Sequence, residues 1–111
     1  MTIDSAAAPF SVTSARTAPD EVTVCVAGEV DLLTSKDVDA EFTRVLGEAP
    51  DSIVVDMSAV SFCDSTGLTM LVKLNSACIA SNRGLRIIPS PTVRKVIDIT
   101  GLAPVLPISG G

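Results

Sequence analysis

The 111-residue chain has no histidine, tryptophan or tyrosine, and only three phenylalanines. Without histidine neither a Ser-His-Asp site nor a His-ligated zinc can be built. With aromatics at 3%, the core must come from Val, Leu, Ile and Ala. The three cysteines, Cys25, Cys63 and Cys78, are odd in number and form no C-x-x-C pair, which argues against a disulfide framework and a structural metal. Cys25 and Cys78 fall in apolar patterns and read as small core residues. Cys63 reads as a packing residue beside Ser65. No cluster of basic residues occurs: eight Lys and Arg are scattered, against a net charge of −5. Nucleic acid and anionic membranes require a clustered basic face and are not expected partners, whereas a basic protein surface is. No apolar run approaches the roughly 18 residues of a membrane span, and "MTIDSAAAPF" has no basic n-region of a signal peptide. The expected compartment is a reducing cytoplasm. Neither G-x-x-x-x-G-K-[ST] nor G-x-G-x-x-G is present, so no cofactor is expected.

What is present is 47% apolar and of a length that suits one domain, read as residues 10–111 after a loose polar tail over 1–9. "FSVTSAR" (10–16) is a weak strand, and "EVTVCVAG" (21–28) alternates so that both faces could be covered. "GEVDLLTS" (28–35) is an acidic loop in which Thr34 and Asp37 match a capping box. The helix that follows, over 35–46, places Val38, Phe42, Val45 and Leu46 on one face, with Arg44 in its last turn and Gly47 just past it. "SIVVDMS" (52–58) is a strand. A helix over 65–82 shows Leu68, Leu71, Val72 and Ile79 on a shared face, with Met70, Leu74 and Cys78 at its margins. "LRIIP" (85–89) is a strand. Ser90 and Pro91 open a helix over 91–100, lined by Val93, Val96, Ile97 and Thr100 and stopped by Gly101. "PVLPI" (104–108) is a last edge strand. The order β-β-α-β-α-β-α-β implies an α/β fold with a small, mostly parallel central sheet of four or five strands and about three helices.

One hydroxyl stands out. In "VSFCDSTGLTMLV" (60–72), Ser65 lies where a strand hands over to a helix, after Asp64 and before Thr66 and Gly67. A nucleophilic serine needs a base, and Lys73 is eight positions further on, more than two helical turns away. "DSTGL" is not the G-x-S-x-G elbow. A helix cap, from Asp64 or Ser65, explains the pattern economically, and Gly67 permits a close backbone approach. A cap needs only one such side chain, however, and a helix N-terminus also suits a phosphate.

These stretches resemble the STAS domain of bacterial anti-sigma factor antagonists. "GEVDLLTS" resembles the family's G-E-[LIV]-D segment, "IVVDMSAVSFCDSTGLTMLV" (53–72) its strand and D-S-[ST]-G phosphorylation motif, and "VRKVIDITGLAPVLPI" (93–108) its closing helix and strand. The resemblance implies a non-enzymatic partner switch. The unphosphorylated protein binds an anti-sigma factor, often itself a serine kinase, and so frees a sigma factor. Phosphorylation of Ser65 ends the binding, and a serine phosphatase resets it. Asp64, Thr66 and Gly67 would shape the site, and Glu29 and Asp31 match acidic residues that face the kinase. The runner-up is a STAS module of a signalling scaffold or lipid-transport complex in which Ser65 only docks; an anion sensor at the same helix start is a third. Family members usually continue into another helix, which this chain, ending "PISGG", is expected to lack. An uncovered 104–108 edge would favour a weak homodimer over a strict monomer.

Overall fold

The computed structural model describes residues 9–109. Residues 1–8 of the expected tail lie outside the described residues. Alternating Val, Thr and Ala residues form β1 (Ser11–Ala18) and β2 (Glu21–Val30), an antiparallel pair joined by a tight turn at Pro19-Asp20. The chain then crosses over through α1 (Ser35–Gly47) to β3 (Ser52–Cys63), and through α2 (Ser65–Ala80) to β4 (Gly84–Pro89), before α3 (Pro91–Thr100). Sheet order is β1-β2-β3-β4, with the β2–β3 and β3–β4 pairings parallel. The α/β class, the three helices and the element order as far as α3 match the pattern in the sequence.

The caps explain several boundaries. Ser90 is buried, and its Oγ accepts the Val93 N–H at 3.1 Å; Pro91 follows at the first helical position. Gly101 closes α3 in the left-handed region at φ 75°, where glycine carries no Cβ penalty. Residues 81–82, expected in α2, lie beyond it: Ser81 caps the helix and Asn82 takes a left-handed φ of 57°. Thr34 departs from expectation. It stands at the start of α1 but makes no capping bond, so the capping box with Asp37 does not form. Its hydroxyl instead reaches back to the Glu29 carbonyl at 2.8 Å.

One cluster gathers the buried apolar side chains other than Val54. Val22, Val24, Val26 and Val30 of β2 meet Ile53, Val55, Met57 and Val60 of β3, and Val38, Phe42 and Val45 of α1, Leu68, Met70, Leu71, Leu74 and Cys78 of α2, and Val93 and Ile97 of α3 pack on them. The other face of β2 is not covered as expected. Cys25 is exposed, and so are Glu29 and, on β3, Ala59 and Phe62. Cys25 is therefore no core residue; Cys63 and Cys78 are buried.

β3 runs five residues beyond the expected strand, to Cys63. Two register shifts against β2 account for this. Cys25 pairs with Asp56 but Ala27 with Ala59, and Gly28 pairs with Val60 but Glu29 with Phe62. Each shift inserts one residue into β3 and flips its alternation. Met57, Val60 and Cys63, three apart, thus all point into the core. Pairing with β4 ends at Met57 and Pro89, and α3 packs chiefly against β3.

The expected strand over 104–108 reduces to one parallel bridge between Ile87 and Ile108. Pro104 and Pro107 have no N–H to extend the ladder. Ile87 donates to the Pro107 carbonyl at 2.9 Å and Ser109 to the Ile87 carbonyl at 2.8 Å. Leu106 is buried, so this segment keeps less apolar surface free for self-association than the sequence suggests.

The core stripe of α2 is also shifted from the expected face. Met70, Leu74 and Cys78, expected at the margins, are buried with Leu68 and Leu71, whereas Ile79 is 71% exposed. Leu71→Ala will cost about 2–5 kcal/mol in chemical denaturation. Ile79→Ala, on the same helix, will stay within about 0.5 kcal/mol of wild type. The reverse ranking would place the helix in a different rotation.

Candidate functional site

The parallel strands β2 and β3 end side by side. Val30 pairs with Cys63, and the Asp64 N–H donates to the Val30 carbonyl at 3.2 Å. Asp64 then turns the chain out of the sheet with extended dihedrals (φ −98°, ψ −170°) and becomes the N-cap of α2. Its Oδ1 accepts the Thr66 N–H at 2.9 Å and also the Thr66 hydroxyl. Of the two side chains that the sequence offers as a cap, the carboxylate takes the role and the Ser65 hydroxyl is left out of it.

The four residues of the motif therefore divide. Asp64 and Thr66 are half-buried and bound to each other. Ser65 is exposed, and its bond within the helix runs through its carbonyl, which accepts from Thr69 Oγ1 at 2.9 Å. Gly67 is buried. A Cβ placed there would lie 2.6 Å from Cys63 Sγ and 3.0 Å from Val30 Cγ1, so the first turn of α2 sits directly on the two strand ends. Burial, with Asp64 adding a smaller effect, pushes the Cys63 thiol up to about 11. The thiol donates to the Asp64 carbonyl at 3.6 Å and stays protonated and inert at neutral pH.

The acidic loop lies next to this turn. Glu29 is exposed at the end of β2, paired with Phe62 across the strands. Asp31 behaves differently from Glu29. Its Oδ1 accepts the N–H groups of Leu33 and Thr34, each at 3.0 Å, while its own N–H donates to Thr34 Oγ1 at 2.9 Å. The carboxylate thus closes an Asx turn and holds the loop. The Thr34 N–H, foremost among these donors, lowers the Asp31 pKa from the ordinary value of 3.8. Because the folded value is lowered, the contribution of this turn to stability is present above pH 3.8 and is lost as pH falls through the folded pKa. The sequence alone did not single out Leu32, Leu33 and Phe62, which are 64%, 76% and 46% exposed. The "LL" inside a polar loop was the available signal. Among the described residues no three His, Cys, Asp or Glu come together in a way that could hold a metal ion.

A four-stranded α/β sheet whose capped helix presents a serine beside an acidic loop defines an interaction domain of the kind the sequence resembles. The STAS domain family profile matches residues 13–110, and the chain belongs to that family. Among curated relatives, the anti-sigma-F factor antagonist RsfB of Mycobacterium tuberculosis is 30% identical over 96 residues, covering 77% of this chain and 79% of RsfB. Among solved structures, an anti-sigma factor antagonist from Mycobacterium paratuberculosis superposes with a TM-score of 0.82 at 28% identity, covering 96% of this chain and 92% of that one. The anti-sigma factor antagonist SpoIIAA, in its unphosphorylated form, shares the fold at a TM-score of 0.74 and 24% identity, covering 90% of this chain and 89% of that one.

Two measurements check this geometry. Gly67→Ala will destabilise the domain by about 1–3 kcal/mol through overpacking against Cys63 and Val30. Gly47→Ala, with nothing within 4 Å of the new methyl, will be neutral or stabilising. In a carboxyl NMR titration, Asp31 will titrate below an ordinary aspartate, and Thr34→Val will move it back upward.

Proposed function

We propose that this domain is an anti-sigma factor antagonist without catalysis of its own, switched by phosphorylation of Ser65. In the unphosphorylated form it binds an anti-sigma factor that is also a serine kinase, and so releases a sigma factor in the cytoplasm of a bacterium. A serine phosphatase restores binding. The observation that carries the reading is the division of the two hydroxyls: Thr66 is held by Asp64, while Ser65 is exposed at the start of α2. A kinase reaches the second and not the first. The names of the relatives and the D-S-T-G motif support the same role.

The switch is electrostatic and local. A phosphate on Ser65 sits at the N-terminus of a 16-residue helix, whose dipole stabilises an anion by roughly 0.3–1 kcal/mol, so the fold survives. The surface gains a charge of about −1.5 to −2 next to Asp64. Against a partner carboxylate at about 4 Å, each charge costs roughly 1 kcal/mol in water and about 4 kcal/mol at a partly dried interface. Two charges, with the desolvation of a phosphate, reduce affinity by about a hundredfold or more.

The test is a titration against the purified serine-kinase anti-sigma factor of the same cell. Ser65→Ala will bind as wild type does and will not be phosphorylated. Ser65→Asp will lose part of the affinity, having one charge and fewer acceptor oxygens. Mass spectrometry after incubation with the kinase and ATP will map phosphate to Ser65. Equal affinities for all three proteins, or phosphate confined to Thr66, would refute the switch.

A further inference from the structure

The loop between β2 and α1 combines rigidity with apolar exposure. Exposed leucines on a surface are ordinary when scattered singly. Here Leu32 and Leu33 are adjacent, and most of the backbone polar groups from Asp31 to Ser35 are hydrogen-bonded. Asp31 Oδ1 holds the Leu33 and Thr34 N–H groups, the Ser35 N–H donates to the Asp31 carbonyl at 2.8 Å, and Ser35 Oγ donates to the Leu32 carbonyl at 3.1 Å. A loop held by this many bonds does not fold its leucines inward, and both stay more than half exposed. Phe62 is exposed on the neighbouring strand, two residues before Asp64, and Leu32 lies two residues beyond Val30, whose carbonyl binds the Asp64 N–H. All three apolar side chains thus belong to the sheet end that carries Ser65.

The charges around them have one dominant sign. Glu29 and Asp37 are exposed and Asp64 is half-buried, against Lys36 as the one cation between residues 29 and 39. We infer that Leu32 and Leu33, with Phe62, are the apolar anchor of the partner interface, and that they seat in an apolar depression on the anti-sigma factor that presents lysine or arginine to Glu29 and Asp37 and a carboxylate to Ser65. This rests on the reading of Ser65 as the partner-facing switch and adds to it the source of the affinity. The acidic rim steers and orients, burial of preordered leucines holds the complex, and the phosphate opposes it. Asp31 is a positioning residue in this scheme, since its carboxylate is occupied within the loop.

The experiment is calorimetric titration of the purified serine-kinase anti-sigma factor with four proteins: wild type, Leu32→Ser/Leu33→Ser, Ser65→Asp, and Ile79→Ser/Ile99→Ser. The last replaces two exposed isoleucines on α2 and α3, away from the loop. The leucine variant will keep its denaturation midpoint and bind roughly ten- to a hundredfold more weakly, as expected for losing two buried side chains. Its deficit will persist at about 1 M salt, where the contribution of the exposed acidic rim is screened. The isoleucine variant will bind as wild type does. Wild-type affinity in the leucine variant, with loss only in Ser65→Asp, overturns the anchor and leaves the switch standing. Loss in the leucine variant but not in Ser65→Asp keeps the anchor and overturns the switch. No binding by wild type overturns both. Sedimentation showing a dimer that the leucine variant abolishes also overturns the anchor, because the patch would then serve a second copy of this chain.

Discussion

The close seat of α2 on the ends of β2 and β3 sets the geometry of this molecule's working end. Gly67 touches Cys63 and Val30 without room for a methyl group, and the Asp64 N–H closes the gap to the Val30 carbonyl. That contact fixes where the helix begins. It therefore fixes which hydroxyl is tied inward and which one faces out. A helix started one residue later would rotate its first turn by about 100°, the angle per residue of a 3.6-residue turn, and put Thr66 in the exposed first position with Ser65 as its cap. The burial of Cys63 belongs to the same arrangement: its thiol is packing material for the helix start.

The bulged end of β3 makes this seat possible. Two inserted residues keep Val60 and Cys63 on the core side while the strand extends past the end of β4. Bulges of this kind re-aim side chains at strand ends next to functional sites. Their second effect is to bring Phe62 to the open face beside Glu29. The loop from β2 meets the same edge, and Asp31 stiffens it with hydrogen bonds that a solvated acidic loop does not need. Rigid backbone, exposed apolar side chains and a modifiable hydroxyl converge on one end of the sheet. Among the described residues, the opposite end carries the turns at Pro19-Asp20, around Asp51 and around Arg83.

Much of this was legible from one dimension. Val22, Val24 and Val26 alternate, Val38, Phe42 and Val45 recur at helical spacing, and Ser90-Pro91 and Gly101 punctuate α3; each signal is local, and the structure follows it. The motif around Ser65 was legible for the same reason, since its cap, its hydroxyls and its glycine lie within four consecutive residues. Local chemistry of this kind survives in any tertiary context that allows the helix to form.

What the sequence left open is what depends on a second element. Alternation in "EVTVCVAG" does not say whether a sheet is covered on both faces, and only the packing of the helices leaves Cys25 in solvent. Periodicity in α2 admits two adjacent faces; the position of the sheet buries Met70, Leu74 and Cys78 and leaves Ile79 out. Thr34 has a capping pattern with Asp37, but Asp31 and the Glu29 carbonyl lie closer to its hydroxyl in the folded loop. The β3 bulges have no local signature, because a bulge is defined by the strand it pairs with. Propensity and capping act within about four residues and are written in the sequence. Register, coverage and exposure arise between segments tens of residues apart, and they exist only once the chain has closed on itself.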